Sequence, residues 1–403
     1  MRSGNKSADA RAARVPVRNP LPSRAGARSF PAVPGARFLI IVFILAWAGS
    51  ARAAWEVVKH DGRRYVPVGN VADFYKLTLA AGSGSFRLSN AKSSIEGKPG
   101  GRDIRINGVK YVLCFPIVKS GSRTLISAMD VTKIIEPVLR PQKIKSASPV
   151  RTVVLDAGHG GHDSGATGPF GREKDAALDV ALRAKKLLEA KGYKVSMTRQ
   201  KDVFIPLEGR SAHANRYRDA VFVSIHFNKS KGTGASGIET YCLAPRGVPS
   251  MDEENLSYSD FKLHPGHARD PENIALATAV HAAMVRKLAV PDRGIKRARF
   301  HVIRATTVPS ILVEGGFMNS PLDGRYIASA SYRQQMATAI AAGVDHFRSA
   351  LTGQPLSRPP SAVASASDVT TIPDLAQSTL GADADASAAI AAAAKALAES
   401  NTN

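Results

Sequence analysis

The chain has 403 residues, 44% of them apolar and 22% charged. That composition excludes collagen, a coiled coil, a wholly disordered chain and a multi-span membrane protein, and the length leaves room for two or three domains at roughly 150 residues each. Two cysteines exclude a disulfide scaffold or a thiolate zinc finger; Cys114 sits among apolar neighbours, and no disulfide to the distant Cys242 is expected. The net charge of +22 attracts anionic partners such as nucleic acid, anionic lipid or an acidic polymer.

Residues 1–37 carry eight Lys/Arg against the single acid Asp9. Phe38–Gly49 follows as an uncharged apolar run of twelve, short of the about 20 residues that a spanning helix needs. Ala51-Arg52-Ala53 then gives the small-x-small pattern of a signal-peptidase site. Segment 1–53 therefore reads as a basic N-terminus and signal peptide, cut after Ala53, with no stable membrane span left after cleavage. A retained anchor is the alternative. The working protein is expected outside the cytoplasm.

Residues 55–141 hold short alternating runs, including Tyr65-Val-Pro-Val68, Ile104–Val109 and Tyr111–Phe115. Asp61-Gly62, Lys98–Gly101, Asn107-Gly108 and Ser120-Gly121 punctuate them, the pattern of a small β-rich module. Residues 142–149 read as a linker. From Val150 to about residue 350 strands and helices alternate. Apolar strands are predicted at Thr152–Leu155, Lys194–Met197, Ala220–Ile225 and Ser310–Val313. Helices are predicted at Lys174–Lys191, Pro206–Tyr217, Asn273–Leu288 and Tyr332–Arg348. The expected fold is α/β, a mostly parallel open sheet flanked by helices. Residues 351–403 lack aromatics and are rich in Ala and Ser, so a disordered tail is expected.

Polar clusters fall at the carboxyl ends of the predicted strands, where open α/β sheets place ligands. Asp156-Ala-Gly-His159-Gly-Gly-His162-Asp163 follows the first strand, and its glycines let the backbone turn sharply. Arg172-Glu173-Lys174-Asp175 opens a helix, where an acid alone would be only a dipole partner. Ser224-Ile-His226-Phe-Asn228 ends another strand, where one histidine alone would be structural. Together, two histidines and a carboxylate make the His₂Glu set of zinc sites that keep one coordination position open. Val313-Glu314-Gly-Gly-Phe317 adds a carboxylate with no cation beside it in sequence; apolar walls would raise its pKa and suit it to proton shuttling.

These motifs resemble the type-3 family of zinc-dependent N-acetylmuramoyl-L-alanine amidases, which cleave peptidoglycan. The likeness runs from about Val150 to Phe347. It includes Leu155–Gly161, Glu173-Lys-Asp175, Thr198-Arg199, Leu207–Arg210 with Asn215, Phe222–His226 with Asn228, Gly237–Tyr241, Asp292–Lys296 and Val313–Phe317. The resemblance implies Zn²⁺ as cofactor, His159, Glu173 and His226 as its ligands, and Glu314 as catalytic acid/base. It also implies peptidoglycan as substrate, a protein activator as a partner class, a place in the periplasm or cell envelope, and a role in wall remodelling or daughter-cell separation. Ile106–Leu139 resembles the copper-amine-oxidase N-terminal-like modules of bacterial envelope proteins.

Ala157 stands where family members often have Pro. Leu243–Asp270 is longer than in a minimal member; Pro249, Pro265 and Gly266 point to a loop bordering the substrate groove, and autoinhibition by it stays open. His162, His264 and His267 are weaker metal candidates, and Glu239 is expected to support the site rather than join a metal. Two other readings compete: a non-catalytic wall-binding protein on the same fold, and a zinc carboxypeptidase using the same metal chemistry. No aromatic–basic interleaving supports nucleic acid as a partner.

Overall fold

The computed structural model describes residues 55–354 apart from 83, 146, 233 and 252–255. The signal reading over 1–53 and the tail reading beyond 354 lie outside the described residues.

The first part is a set of short strands joined by tight turns: β1 (Val58–His60), β2 (Arg63–Pro67), α1 (Val68–Tyr75), β3 (Thr78–Gly82), β4 (Ser85–Ser89), β5 (Ser94–Gly97), β6 (Asp103–Ile106), β7 (Val109–Val112), β8 (Val118–Ser120) and β9 (Arg123–Ser127). A helical stretch closes it, α2 (Ala128–Asp130) and α3 (Glu136–Leu139), joined by a π-helical turn over Val131–Ile135. Alternation makes this part amphipathic. In β6 Ile104 and Ile106 are buried while Asp103 and Arg105 are exposed.

The second part runs β10 (Thr152–Ala157), β11 (Thr167–Gly168), β12 (Gly171–Arg172), α4 (Glu173–Ala190), β13 (Lys194–Met197), α5 (Leu207–Ala214), β14 (Ala220–Asn228), β15 (Ile238–Leu243), α6 (Asp270–Lys287), β16 (Asp292–Ala298), α7 (His301–Arg304), β17 (Ser310–Phe317), α8 (Pro321–Ala328) and α9 (Ala330–Ala350). Strands β10 and β17 are buried throughout, as expected for central strands covered on both faces. The predicted strands and long helices all form, with ends shifted by a few residues.

Strands β13, β10, β14 and β17 are mutually parallel. The expectation of a mostly parallel sheet holds there and breaks at β15, which runs antiparallel to β17. Strand β16 follows β15 in parallel, and β7 then pairs with β16, Tyr111 opposite Ile295. Among the described residues one eleven-stranded sheet thus runs β13-β10-β14-β17-β15-β16-β7-β6-β5-β4-β3. The first part and the body share it. Polar contacts fix the joint. Buried His281 bridges Thr240 Oγ1 and Asp292 Oδ1 at 2.9 Å each, and Asp292 Oδ2 accepts from Lys110 N–H and Arg105 at 3.2 Å. Tyr111 O–H donates to Thr278 of α6 at 2.9 Å.

Helices α4, α6 and α9 cover one face of the body. Helix α6 is buried around most of its circumference because sheet, α9 and the first part surround it. Gly343 of α9 sits against Val280 of α6 so closely that a Cβ would lie 2.5 Å from the Val280 Cα. Among the described residues the other face is covered by short α5 and α7, which pack on Val154, Phe222, Tyr241, Ala298 and Leu312 with Tyr217, Met251 and Phe300 beside them. Period-two alternation puts Asp156, Ser224, His226, Glu239 and Glu314 on this thinly covered face.

Candidate metal centre

His159 lies just beyond β10 in a backbone conformation that few side chains adopt, φ +57°, followed by Gly160 and Gly161 at φ +127° and +60°. Two buried guanidinium groups hold this turn. Arg199 donates to the carbonyls of Ala157, Gly158 and Lys174 at 2.7–2.9 Å. Arg210 donates to the carbonyls of Ala157 and His159, 2.7 Å each, and to Asp156 Oδ1 at 2.8 Å. Asp156 also accepts from Thr198 and Ser224 at 2.6 and 2.7 Å. Burial alone would raise the Asp156 carboxyl, but the Arg210 charge and these hydroxyls hold it below the usual aspartate range.

The turn brings His159 to Glu173, the first residue of α4, and to His226 near the end of β14. One donor atom from each of the three lies within 4.8 Å of the others, the sole such group of three among the described residues. Glu173 Oε1 is 3.1 Å from His159 Nε2 and 2.8 Å from His226 Nδ1. The backbone fixes this carboxylate through Phe227 N–H on Oε1 and Ala166 N–H on Oε2. Burial would raise the Glu173 carboxyl, but the hydrogen bonds from the two imidazoles outweigh it and hold it far below the carboxylate range.

The donor set fits a divalent cation. His159 Nδ1 is 2.8 Å from Asp163 Oδ2, and in the neutral tautomer that contact takes its only proton. With a cation bound, that tautomer would leave the Nε2 lone pair, 3.1 Å from Glu173 Oε1, free to ligate the metal. Zinc accepts this nitrogen and carboxylate set. Space is reserved for it: a Cβ on Gly158 would collide with the His226 ring, and one on Gly165 would lie 2.5 Å from both Glu173 Oε2 and His159 Cδ2.

Glu314 stands on β17 opposite His226 on one side and Glu239 on the other. Its Oε2 is buried without a hydrogen-bond partner. Burial, and after it the negative charges of Glu173 and Glu239, push its carboxyl well above the ordinary range. Glu239 is different. It accepts from Lys296, Arg293 and Tyr241, 2.6 Å each, and from Asn228 at 3.1 Å, so its oxygens are committed. The Gly316 backbone, at φ +120°, is followed by Phe317, whose N–H is held by Asp323 at 3.0 Å.

Of the weaker candidates, the His162 ring lies 4.3 Å from that of Phe204, and His264 and His267 stack on each other at 5.5 Å, with His267 also 3.0 Å from the Ala244 carbonyl. The Leu243–Asp270 segment divides. Met251 lines a cavity beside Lys296 and Arg293. Residues 257–269, with two short 3₁₀ turns, fold back onto Arg299 and the carbonyl end of β15, away from Glu314. Asp163, Arg199 and Arg210 carry functional geometry that sequence reasoning did not single out; the Arg199 and Arg210 motifs were visible, but nothing in them indicates carbonyl clamps.

Residues 153–346 match the N-acetylmuramoyl-L-alanine amidase family. The chain is 36% identical over 216 residues to the amidase AmiC of Neisseria meningitidis, covering 48% of this chain and 52% of that one. It is 30% identical over 247 residues to AmiA of Escherichia coli, covering 56% of this chain and 85% of AmiA. Among solved structures, AmiC2 of Nostoc punctiforme is 35% identical, covers 50% of this chain and 98% of that chain, and superposes with a TM-score of 0.41. The α/β body with its donor cluster at the strand ends is that of a hydrolase domain. The chain belongs to the N-acetylmuramoyl-L-alanine amidase family. It spans 52% and 58% of the length of its AmiC relatives from N. meningitidis and E. coli.

Proposed function

We propose that this chain is a zinc-dependent N-acetylmuramoyl-L-alanine amidase that hydrolyses the amide between N-acetylmuramic acid and L-alanine of peptidoglycan. The observation that carries the reading is the convergence of His159, Glu173 and His226 beside a buried, unpartnered Glu314 on the thinly covered sheet face. His159, Glu173 and His226 would hold Zn²⁺, which when bound supplies Lewis-acid polarisation of the scissile carbonyl. Glu314 accepts a proton from the attacking water as the new C–O bond forms. It returns that proton to the nitrogen as the C–N bond breaks, so the amine leaves neutral. The raised carboxyl pKa makes Glu314 a stronger acceptor for the first transfer. Asp163 orients His159, while Arg199 and Arg210 fix the turn that carries it.

Export, through cleavage after Ala53, to the periplasm or cell envelope belongs to the same reading, as does service in wall remodelling or cell separation, with a protein activator as a partner class. Among the described residues no helix is long and apolar enough to cross a membrane. The test is mass spectrometry of purified muropeptides incubated with the zinc-loaded chain. Release of an intact stem peptide with a free L-alanine amine supports the reading. Trimming from the peptide's carboxyl end would replace it with a carboxypeptidase.

A further inference from the structure

The shared sheet carries the thinly covered face past the candidate centre. Beyond Glu314, its neighbours are Glu239 and then β16, where Lys296 and Arg293 hold Glu239. On β7 and β6, Tyr111 and Ile104 turn inward, so Lys110, Asp103 and Arg105 face outward. Glu96 of β5 lies opposite Arg105, and Arg87 of β4 opposite Glu96. From β17 to β4 there are six strand steps, or about 29 Å at the usual spacing. Two adjoining cavities of about 490 and 810 Å³ occupy this stretch and share Arg102, Asp103 and Lys110.

Their combined lining holds seven Lys/Arg against three carboxylates. Each of those acids already meets a cation: Glu96 with Arg87 and Asp103 with Lys110 at 2.7 Å, Asp292 with Arg105 at 3.2 Å. The trough is therefore positive and long, and on β16 its Lys296 and Arg293 reach Glu239, the strand neighbour of Glu314. Resting on the amidase reading, we infer that it is the outward half of the substrate groove and seats the carboxylate-bearing peptide arms of the wall polymer. The occupant follows from charge complementarity and continuity. An extended peptide covers the distance in about eight or nine residues. The first part of the chain then acts on the same polymer segment as Glu314, since one sheet fixes both.

The test is calorimetric binding to the full chain carrying Glu314→Gln, loaded with zinc, of two muropeptides that differ only in whether the stem carboxylates are free or amidated. Free carboxylates should bind about fivefold more tightly at low salt, with the advantage fading as salt rises. Lys98→Glu with Arg102→Glu should remove most of that advantage; the salt titration of the otherwise unaltered chain stands even if this pair perturbs folding. Equal affinity for the two muropeptides at low salt would overturn the inference, as would tighter binding of single-stranded DNA or anionic vesicles than of the free-carboxylate muropeptide. Stem release by the wild-type chain, followed in parallel, reports on the amidase reading separately: absent release with preserved carboxylate preference would remove that reading and leave the binding surface.

Discussion

At the scale of single residues, the donor cluster and Glu314 separate by chemistry. His159→Ala or His226→Ala deletes a nitrogen donor, so bound zinc and stem release should fall together. Glu314→Gln keeps the side chain's size but cannot accept a proton. Metal analysis of that variant should give near-normal zinc while turnover drops by about 10²–10⁴-fold; a large zinc loss would make Glu314 a ligand instead. Asp156 contributes to stability rather than chemistry. Asp156→Ala strands Arg210 at 3% side-chain exposure, at a cost of about 3 kcal/mol. Because the folded aspartate sits below its ordinary value of 3.8, the ion pair contributes fully above that value. Its contribution is lost as pH falls through the lowered folded-state pKa. Urea melts at about pH 7 and about pH 3 should show the gap between wild type and Asp156→Ala narrowing in acid; a constant gap would contradict the pairing.

At the scale of elements, the apolar strands and long helices were legible because burial on both faces writes an unbroken run, as in Thr152–Leu155, and a covered helix writes a periodic one. Strand β16 was not. Its sequence Asp-Arg-Gly-Ile-Lys-Arg-Ala has three cations in seven residues, and it is a strand because β15 and β7 flank it. His159, Glu173 and His226 stood out through the glycines and apolar strands around them. The clamps by Arg199 and Arg210 did not, since a guanidinium bonded to backbone carbonyls leaves no spacing to read. The tight crossing of α6 and α9 also escapes the sequence, and it makes a prediction. Gly343→Ala puts a methyl against the Val280 backbone, which cannot yield as a side-chain tip would. Destabilisation of about 2 kcal/mol is expected from chemical melts, despite alanine's better helix propensity. An unchanged melt would mean that the helices can separate at no cost.

At the scale of the molecule, the joint between β7 and β16 ties two sequence regions that composition alone separates. Tyr111 lies fully buried in that joint. Tyr111→Ala should cost about 3–5 kcal/mol and loosen both regions at once. The chain has two tryptophans, Trp47 and Trp55, so a protein cut after Ala53 keeps only Trp55, which packs on Phe74 with ring centroids 5.0 Å apart. Its fluorescence reports on the first part, whereas far-ultraviolet circular dichroism is dominated by the helices of the body. The two signals should melt together in wild type and in Tyr111→Ala, and a Trp55 transition well ahead of the helical one would refute the shared core.

The same joint governs what a protease could liberate. A cut between residues 141 and 150, followed by loss of the upstream piece, would strip the outer rim of β16 of its only neighbour on that side and bare the flank of α6. An open strand rim with its N–H and C=O groups unsatisfied is a template for pairing with another chain. The fragment so produced would keep His159, Glu173, His226 and Glu314, and it would self-associate along that rim more readily than the intact chain.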